Sequence, residues 1–95
     1  MPSPDPPERK LPLGQTVATP GVLAELTRPD IWKALRRHEC GDWGVVDDED
    51  KAANDAALVN GSRVLSAYRS ANGVKFWIIT EWDRSVTTVL LPSEY

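Results

Sequence analysis

The last third of the chain, "SRVLSAYRSANGVKFWIITEWDRSVTTVLLP" (62–92), leaves the fold little freedom. It holds three runs rich in Val, Ile, Thr and aromatic residues, "SRVLSAYR", "VKFWIITEW" and "SVTTVLLP", a composition that suits a pleated, half-buried surface. Asn72-Gly73 separates the first two runs and Asp83-Arg84 the last two. Asn-Gly is a strong hairpin signal because both residues tolerate positive φ. Three strands joined by short turns predict an antiparallel meander.

Side chains alternate along a strand, so the turns also predict the faces. A turn centred on Asn72-Gly73 sets Tyr68 near Trp77 and Ala67 near Ile78. A turn centred on Asp83-Arg84 sets Ile78 near Val89 and Trp77 near Leu90. One face then carries Leu65, Ala67, Phe76, Ile78, Val89 and Leu91. The other carries Val64, Ser66, Tyr68, Trp77, Ile79, Thr88 and Leu90. Neither is polar enough to face only water. Helices can cover one. The other calls for the N-terminal segment, a protein partner, or a second copy of the chain, which makes this second face a route to a homo-oligomer.

Helical signals fill the middle of the chain. Thr19-Pro20 is a cap followed by a residue suited to the first helical position, opening "TPGVLAEL". Pro29 ends this helix or begins the next. In "RPDIWKALRRHECG", Ile31, Ala34, Leu35 and His38 share one helical face, and Gly41 is the expected stop. Asp47 or Asp48 caps a third helix, "DEDKAANDAALVNG", whose acids crowd the first turn where the helix dipole favours them. Asn60-Gly61 ends it. "LPLGQTVAT" can add a short strand and "GVV" (44–46) another. The leading "MPSPDPPERK" has four of the eight prolines and no apolar period, and reads as a disordered arm over residues 1–10. The expected fold is α+β: two to three N-terminal helices packed on a three- to four-stranded antiparallel β-meander, forming one domain over 11–95.

Composition limits the function classes. The net charge of −3 argues against a nucleic-acid partner, since such surfaces are basic, although it permits a local basic patch. No apolar run approaches a membrane span and no leader-like apolar segment opens the chain, so a cytoplasmic protein without membrane association is expected. A single cysteine allows no internal disulfide.

The strings "LGQTVATPGVLAEL", "GDWG", "NGSRVLSAYRSANG" and "WIITEWDRSVTTVLLPSEY" resemble a family of short bacterial proteins found in genomes, plasmids and phages. The resemblance runs from about Leu13 to Tyr95. It implies an accessory or counter-defence role in a mobile-element setting and carries no established activity. Some relatives bear a restriction-modification label, but this chain is too short for a methyltransferase and lacks a Gly-rich cofactor loop.

The segment "HECGDWGVVDDED" (38–50) holds the only His and the only Cys. His38, Cys40 and Asp42 fall short of the three or four ligands with paired His/Cys spacing that zinc sites use, so neither metal nor cofactor is expected. From Asp42 to Asp55 six acids face one Lys. Asp42, Asp47, Asp48, Glu49 and Asp50 beside Trp43 therefore form the expected binding surface, an acidic patch with an aromatic anchor that would draw a protein partner. The plainer reading is that four of these acids serve a helix start. The alternative function is a ribonuclease-like domain of the barnase–RelE type. In it His38 would be the acid–base, Arg63, Arg69 and Arg84 would hold phosphate, and Tyr68, Ser66, Thr80 and Thr88 would orient the substrate. The two readings part at His38: mutation abolishes cleavage in one and spares binding in the other.

Overall fold

The computed structural model describes residues 9–95. Most of the expected arm at 1–10 lies outside the described residues. Its last two, Arg9 and Lys10, sit against Glu39: the Arg9 guanidinium is 3.7 Å from the carboxylate, and the Lys10 N–H donates to the Glu39 carbonyl at 2.7 Å.

The chain runs β1 (Gln15–Ala18), α1 (Pro20–Glu25), α2 (Arg28–Glu39), α3 (Asp48–Asn60), β2 (Val64–Arg69), β3 (Lys75–Thr80) and β4 (Val86–Leu90), and ends in a short 3₁₀ turn, Pro92–Glu94. The helix boundaries follow local chemistry. Thr19 and Thr27 cap α1 and α2, each accepting from the N–H three residues on, and each helix takes a Pro in its first turn. Pro29 thus begins α2. Asp47 caps α3 by accepting the Asp50 N–H at 2.8 Å, and Gly61 closes it in the left-handed region. Asp47→Ala should lower stability by about 1 kcal/mol, read as a urea midpoint shift, because that N–H loses its acceptor and the first turn loses a favourable charge.

The sheet order is β1-β4-β3-β2. The β2–β3–β4 meander is antiparallel, but β1 pairs with β4 in parallel, Gln15 opposite Val86 through Ala18 opposite Val89. The sheet is therefore mixed, not antiparallel throughout. All three helices and the two meander turns separate β1 from β4, so no short-range signal marks their pairing.

The β3–β4 register matches the expectation, with Ile78 opposite Val89 and Trp77 opposite Leu90. The β2–β3 register does not. Tyr68 pairs with Phe76, Ala67 with Trp77 and Ser66 with Ile78, one residue from the expected partners. The cause is the turn. Gly73 N–H donates to the Ser70 carbonyl and Ser70 N–H to the Val74 carbonyl, so the loop is Ala71-Asn72-Gly73, with Gly73 alone at positive φ. That is the turn-plus-bulge hairpin and not the two-residue type. Its odd length turns β2 over. Val64, Ser66 and Tyr68 join Phe76, Ile78 and Val89 on the inner face; Leu65 and Ala67 join Trp77, Ile79, Thr88 and Leu90 on the outer one.

The core lies on the inner face. Val22 of α1, Leu26 just after it and Ala34 of α2 pack with Tyr68, Phe76, Ile78 and Val89, while Leu11, Trp43 and Ala57 gather over Val64. On the outer face the C-terminal turn brings Tyr95 edge-to-face with Trp77 at 5.7 Å. The exposed edge of β2 is closed. Asn54 Nδ2 donates to the Leu65 carbonyl and its Oδ1 accepts the Leu65 N–H, while Ala67 exchanges hydrogen bonds with Trp43 and Val45. An edge so covered cannot template pairing with another chain. Among the described residues no helix is long and apolar enough to cross a membrane.

Candidate functional site

The segment 38–50 is built into the fold. His38 lies on the core face of α2, fully buried. Its Nδ1 is 2.5 Å from Ser66 Oγ and its Nε2 is 2.8 Å from Thr80 Oγ1. Thr80 Oγ1 is in turn 2.7 Å from Thr87 Oγ1, which donates to the Leu13 carbonyl at 2.7 Å. Counting protons fixes the direction of this chain. A carbonyl only accepts, so the single Thr87 proton goes to Leu13. Thr80 must then donate to Thr87, and His38 Nε2–H to Thr80. A neutral ring leaves Nδ1 to accept from Ser66. The ring is neutral because burial disfavours its charged form, and Arg84 adds to this, lowering the pKa to about 3. His38 thereby ties α2 to β2, β3 and β4.

Trp43 is also inside, 3% exposed, its ring edge-on to His38 at 5.7 Å and its Nε1–H donated to Asp55 at 2.9 Å. From sequence the indole is a candidate anchor whose exposure stays open; in the structure Trp43 is buried and fills the space between α2, α3 and β2. Asp42 forms a two-point pair with Arg37 at 2.8 and 3.3 Å and accepts the Gly44 N–H. The Arg37 hydrogen bond, more than any other contact, holds the Asp42 carboxyl below the usual carboxylate range. Arg37 also lies over the Tyr68 ring at 4.9 Å, and Tyr68 donates its hydroxyl to the Asp42 carbonyl at 2.6 Å. Desolvation is the main reason the Tyr68 phenol is raised above its ordinary range. Cys40 caps the end of α2. Asp47 caps α3, and Asp48, Glu49 and Asp50 occupy its exposed first turn.

The ribonuclease-like set is not brought together. His38 is sealed from solvent, and the Tyr68 hydroxyl is committed to a backbone carbonyl. Arg63 precedes β2 and Arg69 ends it, about 20 Å apart at strand rise. Arg63 meets the C-terminal Tyr95, donating to its hydroxyl at 2.8 Å. Arg84, at φ 59°, donates to the carbonyls of Ala57, Ser62 and Glu81, which locks the β3–β4 turn to the end of α3. Ser66 and Thr80 belong to the His38 chain. Among the described residues no three His, Cys, Asp or Glu side chains gather as a metal ion would need.

An open concave surface lies on the other side of α2, apart from a smaller recess of about 280 Å³ lined by Gly41, Asp42, Trp43, Gly44, Val46 and Lys51. A groove of about 520 Å³ runs between α2 and the β2–β3 hairpin, where Trp32, Lys33, Arg36, Arg37, Tyr68 and Arg69 come together. An apolar recess of about 550 Å³, formed by Arg28, Pro29, Ile31 and Leu35, shares Trp32 with it. Trp32 is 63% exposed, and the Arg36 guanidinium lies over its ring at 5.5 Å. Of the expected site residues, only Tyr68 and Arg69 line this groove. From sequence alone Trp32 reads either as core or as part of the 38–50 surface, not as the centre of a groove on α2. The available signal was its place one step round from the Ile31–Leu35–His38 stripe, next to Lys33 and four residues before Arg36, where a tryptophan borders solvent.

A two-layer α+β domain with an aromatic, cation-lined groove is the class that fold and site define. No family model, no curated protein and no solved structure matches the chain.

Proposed function

We propose that this chain is a small non-enzymatic protein that works by binding a protein partner, and that the outer surface of α2 around Trp32 is where it does so. The observation that carries this reading is Trp32 itself: a large, exposed, rigid aromatic at the junction of two recesses is the anchor type that dominates protein interfaces. The chemistry of the interior supports it. The one histidine is neutral and spent on structure, and every buried side-chain polar atom among the described residues has a hydrogen-bond partner. Asp47 to Asp50 form an exposed acidic edge, but their positions answer to α3. An accessory or counter-defence role in a mobile-element setting is the concrete form of the proposal and rests on the sequence resemblance.

The test replaces Trp32 with a photo-crosslinking phenylalanine analogue and irradiates the protein in host lysate. One dominant protein adduct is expected, and excess unmodified chain should compete it away. Adducts to nucleic acid, or protein adducts that excess chain does not reduce, would overturn the proposal.

A further inference from the structure

The charge around Trp32 narrows the partner, and this step rests on the protein-binding reading above. We infer that the α2 groove takes an acidic protein segment carrying an apolar anchor.

The surface has two chemistries side by side. On one side of Trp32, Pro29, Ile31 and Leu35 offer an apolar shelf. On the other lie Lys33, Arg36 and Arg69. Among the described residues Lys33 and Arg69 form no salt bridge, and the one ion pair of Arg36 is a 3.8 Å contact to Glu39, beside its stacking on Trp32. The one carboxylate lining the groove, Asp30, is turned to the hairpin, where it accepts the Ala71 N–H at 3.4 Å. The groove is thus a cationic strip beside an apolar one.

The rest of the molecule sharpens this contrast. α2 carries Arg28, Lys33, Arg36 and Arg37 against Asp30 and Glu39, while the next stretch, 40–61, carries six acids and one Lys. A short acidic segment gains from the local cations. A long polyanion must also run past the acidic remainder of a chain with net charge −3. A nucleic-acid backbone has no use for the Pro29–Ile31–Leu35 shelf, whereas a Leu or Phe flanked by carboxylates fills it and pairs with the cations at once. The twelve residues of α2 span about 18 Å, the length of roughly three turns of a partner helix laid alongside.

The experiment uses the full chain and a fluorescent peptide of about 15 residues, built from glutamates with two leucines one helical turn apart. Binding is read by anisotropy. It should weaken at least about tenfold on Trp32→Ala, on the double change Lys33→Glu with Arg69→Glu, and on replacing the peptide leucines by serine. Salt raised from about 0.05 to 0.5 M should weaken it as well. These side chains point outward, so circular dichroism should show unchanged folding. Absence of peptide binding, or binding indifferent to Trp32→Ala, overturns the inference. Tighter binding of a single-stranded RNA of about 12 nucleotides, lost in the same variants, overturns it too and makes the groove a nucleic-acid surface. If the peptide fails while the crosslink at position 32 still captures a protein, the acidic partner is excluded and the protein-binding reading stands.

Discussion

His38→Ala should cost about 4 kcal/mol or more, enough to unfold a sizeable share of a domain whose whole stability is of order 5–15 kcal/mol. Two losses add. Removing a fully buried ring leaves a cavity between α2 and the sheet, of the kind that costs about 3–5 kcal/mol for an aromatic. It also leaves the Ser66 hydroxyl without its acceptor and Thr80 without its donor, and an unsatisfied buried polar group costs roughly 1–3 kcal/mol. The check is a urea melt, where the midpoint should fall with the slope unchanged. Ser66→Ala removes one donor and little volume, so its shift should be clearly smaller. A His38→Ala protein of nearly full stability that had lost an activity would mean the ring serves function and not the core.

The same histidine predicts a pH profile. Its pKa is about 3 in the folded chain against 6.5 when unfolded. Between those values the unfolded chain binds a proton that the folded one refuses. Stability is therefore fully present above pH 6.5 and falls as pH drops through that window, by about 1.4 kcal/mol per unit. Asp42, also depressed, acts in the same direction but only below the ordinary carboxylate range. The two are separable. A decline that starts near pH 6 belongs to His38, and it should be absent from a folded His38→Gln variant.

Local chemistry made most helix ends legible: Thr19-Pro20, Asp47 and Gly61 act through groups within four residues of themselves. The stripe Ile31, Ala34, Leu35, His38 likewise marks the core-facing side of α2, with Ala34 and His38 buried and Ile31 and Leu35 half-buried at its rim. What stayed hidden depends on distance or on parity. The partners of His38 lie 28 and 42 residues away, so from sequence a histidine on an apolar stripe leaves the catalytic alternative open beside the structural one. Parity decided β2. Asn72-Gly73 announces a hairpin, yet one extra loop residue reverses every side chain on the strand, and Tyr68 and Ser66 moved from the expected second face to the core. The acids at 42–50 illustrate a third limit. A helix start and a binding surface call for the same residues, and only geometry tells them apart, here through the Asp47 cap and the Arg37–Asp42 pair.

Gly44→Ala should be as damaging as the loss of His38, at about 4 kcal/mol or more. Gly44 sits at φ 74°, where the chain crosses beside β2. A Cβ there would lie 2.0 Å from the Ala67 carbonyl oxygen and 2.6 Å from the Tyr68 ring. The oxygen is backbone and cannot swing aside, and it already accepts the Val45 N–H at 2.7 Å. Relief requires the 43–45 segment to leave the edge of β2. That move breaks the Ala67–Trp43 hydrogen bond, uncovers the strand edge and draws the Trp43 indole away from Leu11, Ala57 and Val64. Gly73→Ala is the control. It has the same sign of φ, at 85°, but nothing within 4 Å of the added carbon, so only the left-handed strain of roughly 1–2 kcal/mol remains. The difference between the two melts isolates the steric part. If Gly44→Ala proves no costlier than Gly73→Ala, the 43–45 segment does not seal β2, and the edge is open to pair with another strand.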